Sequence, residues 1–114
     1  MENCLFCKII KGDIPSAKVY EDEYCYAFRD IAPQAPVHVL VVPKKHIENL
    51  LGFTEEDQAL AGHLQLVIAK IAKQEGIAES GFRVINNCGR DAMQTVLHAH
   101  YHILGGAAMQ EKMV

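Results

Sequence analysis

The chain has 114 residues, 50% of them hydrophobic and 22% charged, with four cysteines and a formal net charge of −3 at pH 7. This is the size and balance of one globular domain, and it excludes a disulfide-dense scaffold, a disordered chain and a broad basic face for a nucleic acid polymer. Met1-Glu2-Asn3-Cys4 lacks the basic and apolar regions of an export signal, and no apolar run nears the ~20 residues of a membrane span, so a cytoplasmic protein without a membrane partner is expected.

Residues 4–11 place Leu5, Phe6, Ile9 and Ile10 at helical spacing, and Gly12 supplies a stop. After the turn at Asp13-Ile14-Pro15, Lys18–Glu21 and Tyr24–Arg29 read as a hairpin whose Cys25 is a core thiol. Asp30–Pro36 carries two prolines and is a loop. His38–Val42 is a strand closed by Pro43, and Lys44-Lys45-His46 opens a connection in which the two lysines form a solvated turn. From Thr54 as N-cap to about Gln74, Leu60, Leu64, Val67, Ile68 and Ile71 recur on one face of a long helix, with His63 off that stripe at the surface and Gly76 as the stop. Phe82–Asn86 is a further strand, Asn87–Asp91 has loop composition, and Met109–Val114 is a short tail. The order α-β-β-β-α-β-β favours an α+β domain with helices on an antiparallel sheet.

The last strand carries the chemistry. In Thr95-Val96-Leu97-His98-Ala99-His100-Tyr101-His102-Ile103-Leu104 the imidazoles stand at every second position, so an extended strand from end to end would set all three in one row. Such a row serves a nucleophile acting on an electrophile such as phosphorus, a catalytic zinc site, or a hydrogen-bonded polar core. Asn87-Cys88-Gly89-Arg90-Asp91 and Gln94-Thr95 stand just upstream and offer amide, hydroxyl and backbone donors that suit phosphate oxygens, which favours phosphorus chemistry. Separately, Cys4-x-x-Cys7 reads as half of a zinc site, a redox motif or a chance pair.

Gln94 through Gly106 resembles the signature of the histidine-triad (HIT) family of nucleotide hydrolases and transferases. Phe6-Cys7-Lys8-Ile9-Ile10, Ile14-Pro15, Phe28 through His38, Val42-Pro43-Lys44-Lys45-His46-Ile47 and Asn87-Cys88-Gly89 resemble its HINT branch in order and spacing. The resemblance implies a single HIT domain over residues 1–114: an antiparallel sheet of about five strands, a short N-terminal helix and one long helix. It also implies a homodimer joined across the long helix and an edge strand.

For activity it implies hydrolysis of purine nucleoside 5′-phosphoramidates through a nucleotidyl-histidine. The rival readings are a dinucleoside polyphosphate hydrolase and a nucleotide-binding adaptor with little turnover. By the same resemblance His100 is the nucleophile, His102 and His38 lie beside the phosphate, and Asn87, Gln94 and Thr95 contact phosphate or leaving group, with Thr95 where the family usually has serine. Asp30 binds the ribose hydroxyls, and Leu5, Phe6, Ile9, Phe28 and Ile31 wall the base pocket, although each apolar residue taken alone reads as core. Relatives bearing the cysteine pair imply a structural zinc on Cys4, Cys7, His46 and His98. Two departures stand out. Ala92-Met93 replaces a common Gly-Gly, and the tail after Gly106 lacks the family's tryptophan and proline.

Overall fold

In a computed structural model, residues 3–112 are described; the outermost parts of both termini, including the last two residues of the expected tail, lie outside them. The elements are α1 (Leu5–Lys11), β1 (Lys18–Glu21), β2 (Cys25–Arg29), β3 (Val37–Pro43), α2 (Gln58–Gln74), β4 (Phe82–Asn86) and β5 (Tyr101–Gly105). All five strands form one sheet in the order β1-β2-β3-β5-β4, with every neighbouring pair antiparallel. The expected architecture is the observed one. β4 is laid down as an edge strand, and the chain then returns to insert β5 between it and β3.

Strand alternation divides the sheet into two unlike faces. Val39 and Val41 of β3, Ile103 of β5 and Cys25 and Ala27 of β2 point to the side covered by α2, where they pack with Leu64, Val67, Ile68 and Ile71. Cys25 is fully buried, and burial pushes its thiol pKa up to about 12, as suits an inert core residue. The opposite parity belongs to α1, where Phe6 and Ile9 pack on Tyr26, Phe28, Leu40 and Val42. His38 shares that parity on β3, and His102, paired with Leu40, shares it on β5. One face is therefore apolar at its centre, with Arg29 and Asn86 at its margins, and the other gives up part of its area to imidazoles.

Local chemistry explains the ends of the elements. Cys4 is the N-cap of α1, its sulfur accepting the Cys7 N–H at 3.3 Å, and Gly12 closes the helix in the left-handed region at φ 86°. Thr54 begins a single 3-10 turn (Glu55–Asp57) before α2, with its N–H donating to Asp57 at 3.0 Å. Gly105 ends β5 against Ile77, where an added Cβ would lie 2.8 Å from Ile77 Cδ1. His63, Lys44 and Lys45, expected at the surface, keep partial or full exposure there and also find acidic partners. His63 is half-buried and donates from Nε2 to Asp22 at 2.7 Å, tying the β1–β2 turn to α2, because Asp22 also gathers the Tyr20 hydroxyl and two backbone N–H groups. Lys44 pairs with Glu21 at 2.7 Å and Lys45 with Asp57 at 2.5 Å.

The expectation of one long histidine strand is corrected. β5 starts at Tyr101, and residues 96–98 form a bend. The backbone donors there turn away from any ladder: His98 N–H bonds the Val96 carbonyl, and Ala99 N–H bonds the Ile47 carbonyl. Upstream, the 87–95 loop is closed by bonds from Met93 N–H to Arg90 O and from Gln94 N–H to Gly89 O. That closure puts Met93 at φ 62°, the one non-glycine left-handed residue among the described residues.

A side chain in that region costs about 1–2 kcal/mol, and Met93 is 75% exposed, so it recovers little by burial. Met93→Gly should therefore raise the unfolding free energy by about 0.5–1 kcal/mol, the relief of strain exceeding the added freedom of the unfolded chain. Urea denaturation reads this directly, and a loss of stability would show that the conformation carries no strain.

Candidate active site and metal centre

The bend at residues 96–98 sorts the three imidazoles. His98 is turned out of the row and toward the N-terminal helix, whereas His100 and His102 remain neighbours, with ring centroids 5.2 Å apart. His38, on the adjacent strand, places Nε2 2.8 Å from His102 Nδ1. The site thus draws on two paired strands and the segment leading into one of them.

Protonation follows from the partners of each nitrogen. The Gln34 backbone N–H donates to His38 Nδ1 at 3.0 Å, so that nitrogen carries no proton in the neutral ring. The His38 proton is then on Nε2 and is donated to His102 Nδ1, which leaves the His102 proton on Nε2. His100 Nδ1 lies 2.7 Å from the His98 carbonyl, which can only accept. Neutral His100 therefore holds its proton on Nδ1 and keeps a free lone pair on Nε2. The row presents one nucleophilic nitrogen beside one N–H donor.

Electrostatics keep the relay neutral. Burial lowers the pKa of His38 although Asp30, 3.5 Å from its Nε2, pulls the other way. Burial and the adjacent His100 and His38 rings push His102 down to about 4, against the opposing field of Asp30. Asp30 itself accepts the Ala32 N–H at 2.8 Å, which orients its carboxylate at the mouth of the site.

The apolar candidates divide into floor and rim. Phe6 meets His100 edge-on, with centroids 5.0 Å apart and planes at 90°, and Phe28 packs edge-on against Phe6 at 5.5 Å. Phe6, Ile9 and Phe28 are buried core, whereas Leu5 is 43% exposed and Ile31 fully exposed. Ile31 thus has no packing role in the described fold. The polar candidates are mostly engaged with backbone. Gln94 accepts Gly89 N–H at 3.0 Å and donates to the Glu48 and Val96 carbonyls at 2.8 and 3.0 Å, and Asn87 donates to the Ala92 carbonyl at 2.8 Å. Both amides hold the loop. Thr95 is exposed and, with Cys4, Leu5, His46, Glu48 and Leu97, lines a groove of about 960 Å³ whose walls include neither His100 nor His102.

Cys4, Cys7, His46 and His98 form a second cluster whose ligand atoms all lie within 4.8 Å of one another. The Cys4–His98 and Cys7–His46 sulfur-to-Nδ1 distances are 3.3 Å, and Cys7–His98 is 3.5 Å. A tetrahedral S₂N₂ zinc site, with bonds of ~2.3 and ~2.0 Å, separates sulfur from nitrogen by about 3.5 Å, so the donor set fits. His98 is also oriented for it, since its Nε2–H donates to the Pro43 carbonyl at 2.8 Å and leaves Nδ1 facing the sulfurs. This cluster could bind a metal. Burial, together with the neighbouring Cys4, raises the Cys7 thiol to about 11.

Three contributors carry little or no sequence signal. The donor that sets the His38–His102 polarity and the acceptor that orients His98 are backbone groups of Gln34 and Pro43, which any side chain could accompany. Asn86 donates to the His100 carbonyl at 2.9 Å, and an asparagine ending a strand reads only as a boundary.

The model of the HIT domain matches residues 11–109, and the chain belongs to that family. It is 55% identical over 108 residues to an uncharacterised HIT-like protein of Synechococcus elongatus, covering 95% of this chain and 94% of the relative. Among solved structures it superposes on a histidine triad protein from Clostridium difficile with TM-score 0.95 and 50% identity, covering 99% and 98% of the two chains. It is similarly close to a HIT family hydrolase from Clostridium thermocellum, with TM-score 0.97 and 49% identity over 100% and 99% of the two chains.

The depressed His102 pKa has a defined sign. Between about pH 6.5 and about 4 the unfolded chain binds a proton that the folded chain refuses, so stability falls with acidification across that window and is flat above it for this group. Removing the imidazole with His102→Asn should flatten the fall seen in denaturation midpoints over the same range. An unchanged slope would show that His38 or other groups carry it.

Proposed function

We propose that this HIT protein hydrolyses purine nucleoside 5′-phosphoramidates, in the manner of the HINT branch, through a covalent nucleotidyl intermediate on His100. The observation that carries the reading is the opposed arrangement of His100 and His102: a free Nε2 lone pair on one buried ring and an outward N–H on its neighbour.

The His100 Nε2 lone pair attacks the α-phosphorus, the P–N bond to the leaving group breaks, and the departing amine takes a proton from solvent, which the attacking water returns in the second step. The His98 carbonyl, already bonded to Nδ1–H, favours the positive charge that forms on the His100 ring. His102 donates its Nε2–H to a phosphate oxygen, and His38 holds that tautomer from behind. Water then attacks the same phosphorus, the P–Nε2 bond breaks, and the nucleoside monophosphate leaves with His100 restored. Asp30 accepts from the ribose hydroxyls. Phe6, Ile9 and Phe28 form the floor of the base pocket, and Leu5 and Ile31 supply its rim, which gives full exposure of Ile31 a purpose. Thr95 offers its hydroxyl to the phosphate or leaving group, while Asn87 and Gln94 hold the loop beside it and supply further contacts there.

Cys4, Cys7, His46 and His98 would hold a structural zinc. Four protein ligands leave no open position, so the ion's contribution is to join α1 to the residue two places before His100. The four cysteines are free thiols, which fits the reducing cytoplasm. A homodimer is assigned to the β4 edge and α2, where Val84, Ile85 and Leu66 are 44%, 39% and 71% exposed. Among the described residues no helix is long and apolar enough to cross a membrane.

Incubation with adenosine phosphoramidates and, separately, a dinucleoside polyphosphate, followed by mass spectrometry, should detect adenylyl-His100 and faster turnover of the P–N substrates. His100→Ala should abolish both while nucleotide affinity changes less than severalfold. Normal turnover in that variant would remove His100 as nucleophile, and tight binding without any adduct would identify an adaptor. Prolonged chelation should lower the thermal midpoint by more than about 5 °C. Immediate loss of activity with unchanged melting would point to a catalytic metal instead.

A further inference from the structure

We infer that Asn86 is a positioning residue for the His100 nucleophile, acting through the backbone and not through substrate. The inference rests on His100 as nucleophile.

The β4–β5 ladder ends at the pair Asn86–Tyr101, one residue short of His100. The Asn86 side chain reaches past that last pair and donates from Nδ2 to the His100 carbonyl at 2.9 Å. The amide can be oriented only this way, because turning it over would face two acceptors.

That orientation leaves Asn86 Oδ1 buried with no hydrogen-bond partner, the one such side-chain atom among the described residues. A buried orphan acceptor opposes stability, so the asparagine holds the His100 carbonyl at the cost of its own Oδ1. An apolar residue of similar size would remove that orphan and release the carbonyl, so the two choices differ chiefly in whether the peptide that aims His100 is held by a side chain.

The segment is also held before His100, by Ala99 N–H to the Ile47 carbonyl and the His98 ring to the Pro43 carbonyl, and after it, where Tyr101 pairs with Val41 and Asn86. Asn86 is the side chain that holds the His100 carbonyl itself, and without it the ring keeps its bond to His98 while that carbonyl can tilt. The loss should fall on the attack step, which tolerates little misalignment, and not on nucleotide binding.

The test compares wild type, Asn86→Leu and the isosteric Asn86→Asp, whose carboxylate cannot donate to the carbonyl. Thermal midpoint, steady-state constants on an adenosine phosphoramidate, and the single-turnover rate of nucleotidyl-protein formation are measured for each. Asn86→Leu should stay within a few degrees of wild type in thermal midpoint, since it removes one orphan acceptor and exposes another, keep KM within twofold, and form the adduct about tenfold more slowly; Asn86→Asp should show the same kinetic loss. Adduct formation at the wild-type rate in either variant overturns the inference, as does a fall in midpoint for Asn86→Leu with unchanged kinetics. If wild type itself forms no adduct, the nucleophile assignment fails first, and the two failures are distinct.

Discussion

The hydrogen bond from His100 Nδ1–H to the His98 carbonyl is the interaction on which the functional architecture depends. It fixes the tautomer of one ring by means of the peptide of another, and that other ring is buried among Cys4, Cys7 and His46. The acceptor cannot be moved without moving the His98 side chain, and the side chain cannot be moved without disturbing the cap of the first helix. Four parts of the fold, α1, the β3 terminus, the bend and β5, meet in one short segment. The break in the strand makes this possible, since a continuous ladder would have claimed the carbonyl for sheet bonding.

The sheet supplies the rest by division of labour. Its α2 face carries the large apolar core, which leaves the α1 face free to hold charged or titratable groups at some cost. The cost is reduced because each buried imidazole has a partner: Gln34 N–H for His38, His38 for His102, the two carbonyls for His98 and His100. Phe6 joins the two functions by packing against both His98 and His100, at 6.1 and 5.0 Å between centroids.

Much of this was legible in the residues. The stripe of Leu64, Val67, Ile68 and Ile71, the stops at Gly12 and Gly76 and the alternation of β3 all follow from periodicity and backbone preference. Resemblance to a family carried the grouping of Cys4, Cys7, His46 and His98, because residues up to 94 positions apart come together by topology that no spacing states. Periodicity failed at His98, where alternation continues in sequence but the backbone donors bond elsewhere. It placed His63 off the apolar stripe but said nothing of its partner, since the Asp22 carboxylate is delivered by another element. Asn87 and Gln94 showed the right chemistry for anion contact, yet their amides engage neighbouring carbonyls and an N–H in the described fold.

The Gln34 N–H that anchors the His38–His102 pair belongs to a peptide group, not to an ionisable side chain. A carboxylate in that place would change character on acidification, and the direction of the relay would change with it. A peptide has a single protonation state across the whole range in which proteins stay folded. The pair therefore has a built-in polarity, fixed as rigidly as the loop that supplies it. The position of the proline-bearing segment 30–36 therefore decides which His38 nitrogen carries the proton, and so which way the pair points.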